Sequence, residues 1–165
     1  VVVDAGALQI IDFADCAATC VLTPHAGEAA TLISALGHKM TRAEVEADAV
    51  AAAKLISKAT GQLTVLKGSQ TVVTQSSIDA EDRTYQFAPA PSVLATAGSG
   101  DVLAGIIGAL LAGNADAINS GAADLFEVVK AAVQLQAEAA ALAAQKSTVV
   151  ALDIAEAVGR VIASQ

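Results

Sequence analysis

The chain has 165 residues, 55% of them apolar but only 2% aromatic, and a formal net charge of −8. That length allows one domain with a core of Ala, Val, Leu and Ile. The acidic balance argues against a nucleic-acid binder, which would carry a basic stripe, and no uncharged apolar window is long enough to cross a bilayer. A small anion held by backbone N–H groups remains compatible with such a charge.

Val1-Val2-Val3-Asp4 reads as the interior of a buried strand with no initiator Met before it, so the chain is expected to be the C-terminal piece of a longer domain. Cys16 and Cys20 lie one helical turn apart, with no His or Cys pair nearby to finish a metal site. They read as buried thiols of a reducing cytoplasm. Further strands are expected at Cys20 to Thr23 and Leu63 to Leu66, alternating with helical patterns as βαβ units around a parallel sheet do.

Between those two strands, Glu28 to Leu36 follows Pro24 as one helix. Thr41-Arg42-Ala43-Glu44 is a capping box that opens a long Ala-rich helix to about Thr60, with Gly61 as its stop. After Lys67-Gly68 the pattern changes to antiparallel strands, Thr71 to Thr74 and Thr84 to Phe87, around a polar turn with Asp79, Glu81 and Asp82. Pro89 and Pro91 mark an extended loop. The remainder is helical: Asp101 to about Leu111, Asp124 to about Gln145, and Ile154 to Ala163, with Asn114 to Ala123 as a flexible connection.

Four candidate sites fall where ligands bind in open α/β sheets, at strand ends or helix starts. Asp4 ends the first strand, where it either faces a cleft or makes an ordinary Asx turn. In "LTPHAGEAATL", His25 and Glu28 share a face at a helix start. Either the Glu favours the helix N-terminus beside an exposed His, or the His contacts ligand while the Glu organises a metal-bound water. In "VLKGSQTVV", Lys67, Gly68, Ser69, Gln70 and Thr71 form either a plain hairpin turn or a loop holding phosphate oxygens.

The fourth site is "LATAGSGDVLAGII". Gly98 and Gly100 let the backbone turn its N–H groups inward at the start of an apolar helix, which attracts phosphate. Asp101 there is either an N-cap or a base. As a base it would accept the proton of a substrate hydroxyl attacking a phosphoryl group held by the amides. The flanking Gly-Ser-Gly favours the base, because a cap does not need it.

The order "TPHAGE", "VLKGSQTVV", "ATAGSGDVLAGIIGALLA" resembles the ADP/ATP-dependent NAD(P)H-hydrate dehydratase family, the carbohydrate-kinase-like domain of the ribokinase superfamily. "VVVDAGAL" and "ALDIAEAVGRVIAS" fall where that family has similar segments. The resemblance implies an α/β, ribokinase-like three-layer sandwich with a mainly parallel sheet. Residues 1–165 would be the C-terminal portion of a single such domain. It implies a lyase that uses ADP or ATP, with Mg²⁺, to drive water off NADHX or NADPHX.

By position, the resemblance makes Asp101 the base and a substrate contact, with His25 and Asp4 as further substrate contacts. Gly98, Ser99 and Gly100 would form the anion hole, Lys67 to Thr71 would line the nucleotide site, and Glu28 would hold magnesium through water. Gly6 stands where the family commonly has a second Asp, and Ser99 where it commonly has Thr. A cytoplasmic homo-oligomer acting on small molecules is expected. Two other readings share these residues: a small-molecule kinase of the same superfamily, and a nucleotide-binding module without turnover.

Overall fold

The computed structural model describes residues 1–13, 18–76, 81–145 and 148–164. Cys16 and Asp79 lie outside the described residues. The chain divides into two compact units, Val1–Pro89 and Ala90–Gln165. The division falls in the extended segment that Pro89 and Pro91 punctuate.

The first unit is built on a five-stranded sheet in the order β1 (Val2–Val3), β2 (Val21–Leu22), β3 (Leu63–Leu66), β4 (Val72–Gln75) and β5 (Arg83–Gln86). β1, β2 and β3 are parallel, in register Val3 opposite Leu22 and Leu22 opposite Thr64. β4 and β5 are antiparallel, with Val65 opposite Val73 and Val73 opposite Tyr85. The change of direction comes at Lys67-Gly68, where the strands give way to hairpins.

Parallel strands need crossovers, and here the long one is helical. It consists of α1 (Ala26–Ala35), α2 (Arg42–Ala47) and α3 (Ala49–Thr60). α3 packs on β3 and β4, and α1 packs on α2 and α3. Their apolar faces meet the sheet in a core that includes Val3, Leu22, Leu66, Val72, Ile33, Ala52 and Ile56. Ala52 and Ala53 have no side chain beyond Cβ, so α3 lies close to the strands.

The single helix expected from Thr41 to Thr60 is two helices. Asp48 breaks it, with φ −136° and ψ 74°. Its N–H still donates to the Glu44 carbonyl at 3.0 Å, closing α2, while its Oδ1 accepts the Ala51 N–H at 2.9 Å, opening α3. The capping box at Thr41 forms as the sequence indicates, and Gly61 ends α3 in the left-handed conformation at φ +69°. Ala5 is also left-handed, at φ +50°, where the chain leaves β1 and enters a 3₁₀ turn over Ala5–Gln9.

The opposite end of the strands is closed by polar contacts. The Cys20 N–H donates to Gln62 Oε1 at 2.7 Å. Ser57 Oγ donates to the Gln62 carbonyl at 2.7 Å and accepts the Ser76 N–H at 2.9 Å. Cys20 is buried, as expected of it.

The second unit is helical: α4 (Ser99–Gly113), α5 (Ala115–Asn119), α6 (Leu125–Ala143) and α7 (Ala151–Ala163), preceded by a 3₁₀ turn at Ser92–Ala95. The connection expected as flexible at Asn114 to Ala123 therefore contains a short helix. α6 packs against both α4 and α7. Its contact face is Ala132, Ala139, Ala140 and Ala143, with Val129 and Val133, so the helices approach closely. Of the apolar residues of α4, Leu103, Ile106 and Ile107 are buried, whereas Val102, Leu110 and Leu111 are partly exposed.

Two outcomes are expected from this packing. Thr64 Oγ1 is buried without a hydrogen-bond partner among the described residues. Thr64→Val should therefore raise unfolding stability by about 1 kcal/mol in urea titration, since an unsatisfied buried hydroxyl costs more than its apolar replacement. In the capping box, the Thr41 N–H and hydroxyl both bond Glu44 Oε2, at 2.7 and 2.8 Å, and hold the Glu44 carboxyl below its ordinary range. The stability it contributes is present above the unfolded-state value and is lost as pH falls through the lowered folded-state one. Carboxyl NMR titration should show Glu44 ionising below its unfolded-state value, and Thr41→Ala should move it up.

Candidate functional site

At the carboxyl end of the first unit's parallel strands, the sequence places Asp4, His25 and Lys67 in successive crossings, and the structure brings them together. The Lys67 N–H donates to the Pro24 carbonyl at 2.8 Å, and His25 and Lys67 form a parallel bridge beyond the strands proper. Lys67 Nζ reaches across β2 and donates to Asp4 Oδ1 at 2.7 Å. The two side chains are 17% and 16% exposed, so water screens the pair weakly.

This decides between the two readings of Asp4. Asp4 makes no side-chain cap on the turn that follows it, so the Asx-turn reading fails. Lys67, expected in either a hairpin turn or a loop holding phosphate oxygens, has its ammonium paired with Asp4. The two residues are 63 positions apart, and no local pattern announces their contact.

His25 is the N-cap of α1. Its Nδ1 accepts the N–H groups of Gly27 and Glu28 at 3.0 and 3.1 Å, while the His25 N–H donates to Glu28 Oε2 at 2.8 Å. The result is a capping box with histidine in the place usually held by Ser, Thr, Asp or Asn. Because Nδ1 accepts, the neutral ring carries its proton on Nε2, which lies 3.5 Å from Glu28 Oε1. The histidine side chain is 60% exposed and can donate outward from that nitrogen. Gly27 leaves room for this arrangement: a Cβ there would lie 3.0 Å from His25 Cε1, a tight contact that the imidazole would have to relieve. The Glu28 carboxylate expected to serve a metal-bound water is thus committed first to its own helix start, leaving Oε1 with spare acceptor capacity.

The Lys67 to Gln70 loop forms one wall of a cavity of about 120 Å³. Ala26, Val45 and Leu66 make apolar walls, and Gln86 joins the rim, where its Nε2 donates to Gln70 Oε1 at 3.0 Å. Thr71 is not part of this wall. Its carbonyl accepts the Phe87 N–H at 2.9 Å and belongs to the hairpin. No local pattern marks Val45 or Gln86 for this place, since each comes from a separate element.

In the second unit, Gly98 is the N-cap of α4 with φ +85°, and Asp101 is the third helical residue rather than the cap. The N-cap reading of Asp101 therefore fails. Its carboxylate is exposed and has no hydrogen-bond partner among the described residues. Ser99, expected as one wall of an anion hole, is turned inward. Its Oγ donates to the Leu94 carbonyl at 2.7 Å and its N–H to the Thr96 carbonyl at 3.3 Å. The helix ladder begins with Val102 N–H on the Gly98 carbonyl at 3.1 Å, so the Gly100 and Asp101 N–H groups have no backbone acceptor among the described residues. Gly98 tolerates no side chain: besides its positive φ, a Cβ would lie 3.1 Å from the Ala151 Cβ.

Among the described residues no group of three or more His, Cys, Asp or Glu could hold a metal ion, and no helix is long and apolar enough to cross a membrane.

Known proteins share this architecture. A ribokinase-like superfamily protein of Enterococcus faecalis matches 99% of the chain with a TM-score of 0.69 at 21% identity, covering 52% of that protein, which places the fold in the ribokinase-like class. A crystal structure of the ADP/ATP-dependent NAD(P)H-hydrate dehydratase of Bacillus subtilis, grown with ATP and Mg²⁺, matches 99% of the chain with a TM-score of 0.79 at 25% identity and covers 54% of that protein. The NAD(P)H-hydrate dehydratase family model matches residues 1–160, and the chain belongs to that family. It is 44% identical over 119 residues to the ADP-dependent (S)-NAD(P)H-hydrate dehydratase of Neisseria meningitidis, a match covering 68% of this chain and 37% of that protein. The bifunctional NAD(P)H-hydrate repair enzyme of Escherichia coli is 41% identical over 91 residues, which is 55% of this chain and 16% of the enzyme. The chain thus spans well under two thirds of the length of these relatives.

Breaking the ion pair should be costly. Asp4→Asn leaves the Lys67 ammonium largely buried without its counter-charge and is expected to lower unfolding stability by about 2–3 kcal/mol. Asp4→Asn combined with Lys67→Met should recover much of that loss in the same chemical-denaturation measurement.

Proposed function

We propose that this chain takes part in the nucleotide-driven dehydration of hydrated NAD(P)H, restoring NADH or NADPH. The observation that carries the reading is the start of α4. Among the described residues, the exposed Asp101 carboxylate has no partner and stands beside two backbone N–H groups that lack acceptors. Helix-start amides suit phosphate oxygens, and the adjacent carboxylate suits a hydroxyl proton.

In the proposed reaction the ring hydroxyl of the hydrate attacks the terminal phosphoryl group of ADP or ATP. Asp101 accepts the hydroxyl proton, while the Gly100 and Asp101 N–H groups stabilise charge on the phosphoryl oxygens. AMP or ADP is released. The ring C–O bond of the new phosphate ester then breaks with inorganic phosphate as leaving group, pushed by the ring nitrogen lone pair, and loss of a proton from the neighbouring ring carbon restores the dihydropyridine. Asp101 is the one group of the chain assigned to proton transfer.

The first unit supplies binding groups. The Lys67 to Gln70 loop and its cavity are assigned to the nucleotide, and the outward Nε2–H of His25 to the substrate. In this reading Asp4 acts chiefly by fixing the Lys67 ammonium. Magnesium travels with nucleotide phosphates and needs only one or two carboxylates from a protein, so Glu28 fits as the partner of a water in its shell through Oε1. The ion would neutralise phosphate charge. A cytoplasmic location and a homo-oligomeric assembly belong to the same proposal.

The test uses the intact protein that contains this chain, incubated with hydrated NADH and either nucleotide. Recovery of NADH absorbance is expected, and Asp101→Asn should slow it about a thousandfold, the span of a lost general base. No recovery with either nucleotide overturns the reading, and a stable phosphorylated alcohol as product would identify a kinase instead.

A further inference from the structure

The described face of α6 that packs against its neighbours is apolar apart from one residue. Gln136 is 6% exposed among Val129, Ala132, Val133, Ala139 and Ala140. Its Nε2 donates to the Ser99 carbonyl at 2.6 Å, across 37 positions of sequence. A buried amide is costly unless it is bonded, and an apolar side chain of equal size would pack two helices as well. The amide is therefore tied to what it bonds.

What it bonds is the peptide unit that joins Ser99 to Gly100. The carbonyl of that unit accepts from Gln136, and the N–H of the same unit is Gly100's, one of the two that lack an acceptor. Hydrogen bonding to a peptide carbonyl polarises the unit and strengthens its N–H as a donor. Ser99 is further fixed through its Oγ and its N–H. Its neighbours Gly98 and Gly100 have no side chains of their own to anchor the turn.

We propose that Gln136 is a positioning residue for the start of α4, acting through the Ser99 carbonyl. It sets the direction and donor strength of the Gly100 N–H and keeps the turn carrying Asp101 in one orientation. This rests on the reading of α4 as a phosphate-binding start. Gln136 itself touches neither nucleotide nor substrate.

The experiment compares Gln136→Met, which keeps length and volume but removes the donor, with Gln136→Glu. Both are made in the intact protein, with ADP as the probe. Gln136→Met should fold with a small change in Tm, move the Gly100 amide proton upfield in the NMR spectrum, and weaken ADP binding about tenfold. Gln136→Glu should be weak when its carboxyl is ionised and recover ADP binding relative to wild type as pH falls and it becomes a donor again. If Gln136→Met does not fold, this pH-dependent recovery decides alone.

An unmoved Gly100 resonance with wild-type ADP affinity in Gln136→Met, or no recovery in Gln136→Glu, overturns the proposal. Failure of the wild type to bind ADP would instead overturn the phosphate-binding reading. The Gly100 shift would still report on Gln136.

Discussion

Lys67 and Asp4 meet at 2.7 Å across the end of β2, and the first unit's carboxyl edge is arranged around that contact. A lysine ammonium so enclosed is costly without a counter-charge, and Asp4 supplies one from the end of another strand. The pair joins β1 to β3 over the strand between them and places the His25 turn beside it. Lys67 is thereby held stretched across the edge, and its following loop is left to form the cavity wall with Ser69 and Gln70.

The second unit solves a related problem with neutral groups. The start of α4 exposes a carboxylate and two amide donors, and rigidity has to come from underneath. Ser99 supplies it by spending all of its polar groups internally, on Leu94, Thr96 and Gln136. A residue type chosen in sequence for its hydroxyl near phosphate thus works as an inward anchor. The direction in which a serine turns depends on partners that lie five positions before it and 37 after it.

Local chemistry was legible wherever it was self-contained. The box at Thr41 and Glu44, the stop at Gly61, the limits of β3 and the change to hairpins after Lys67-Gly68 each depend on a few adjacent residues. The break at Asp48 was hidden because the Ala-rich pattern runs through it, although an aspartate three positions before Ala51 is an N-cap signal. Histidine is an uncommon N-cap, so the box at His25 was read only as two residues on a shared face. The close glycine at position 27 was the clue to it. The Asp4–Lys67 pair and the Gln136 bond join distant segments and leave no local trace in the sequence. The family resemblance located both regions without indicating either contact.

The polar closure around Gln62 and Ser57 makes the two ends of the first unit's strands unequal. At one end, Gln62 and Ser57 side chains satisfy the backbone N–H groups of Cys20 and Ser76. At the other, an imidazole, an ammonium–carboxylate pair and a hollow remain within reach of solvent. Substitutions at Gln62 are therefore expected to act on how firmly the strands are seated.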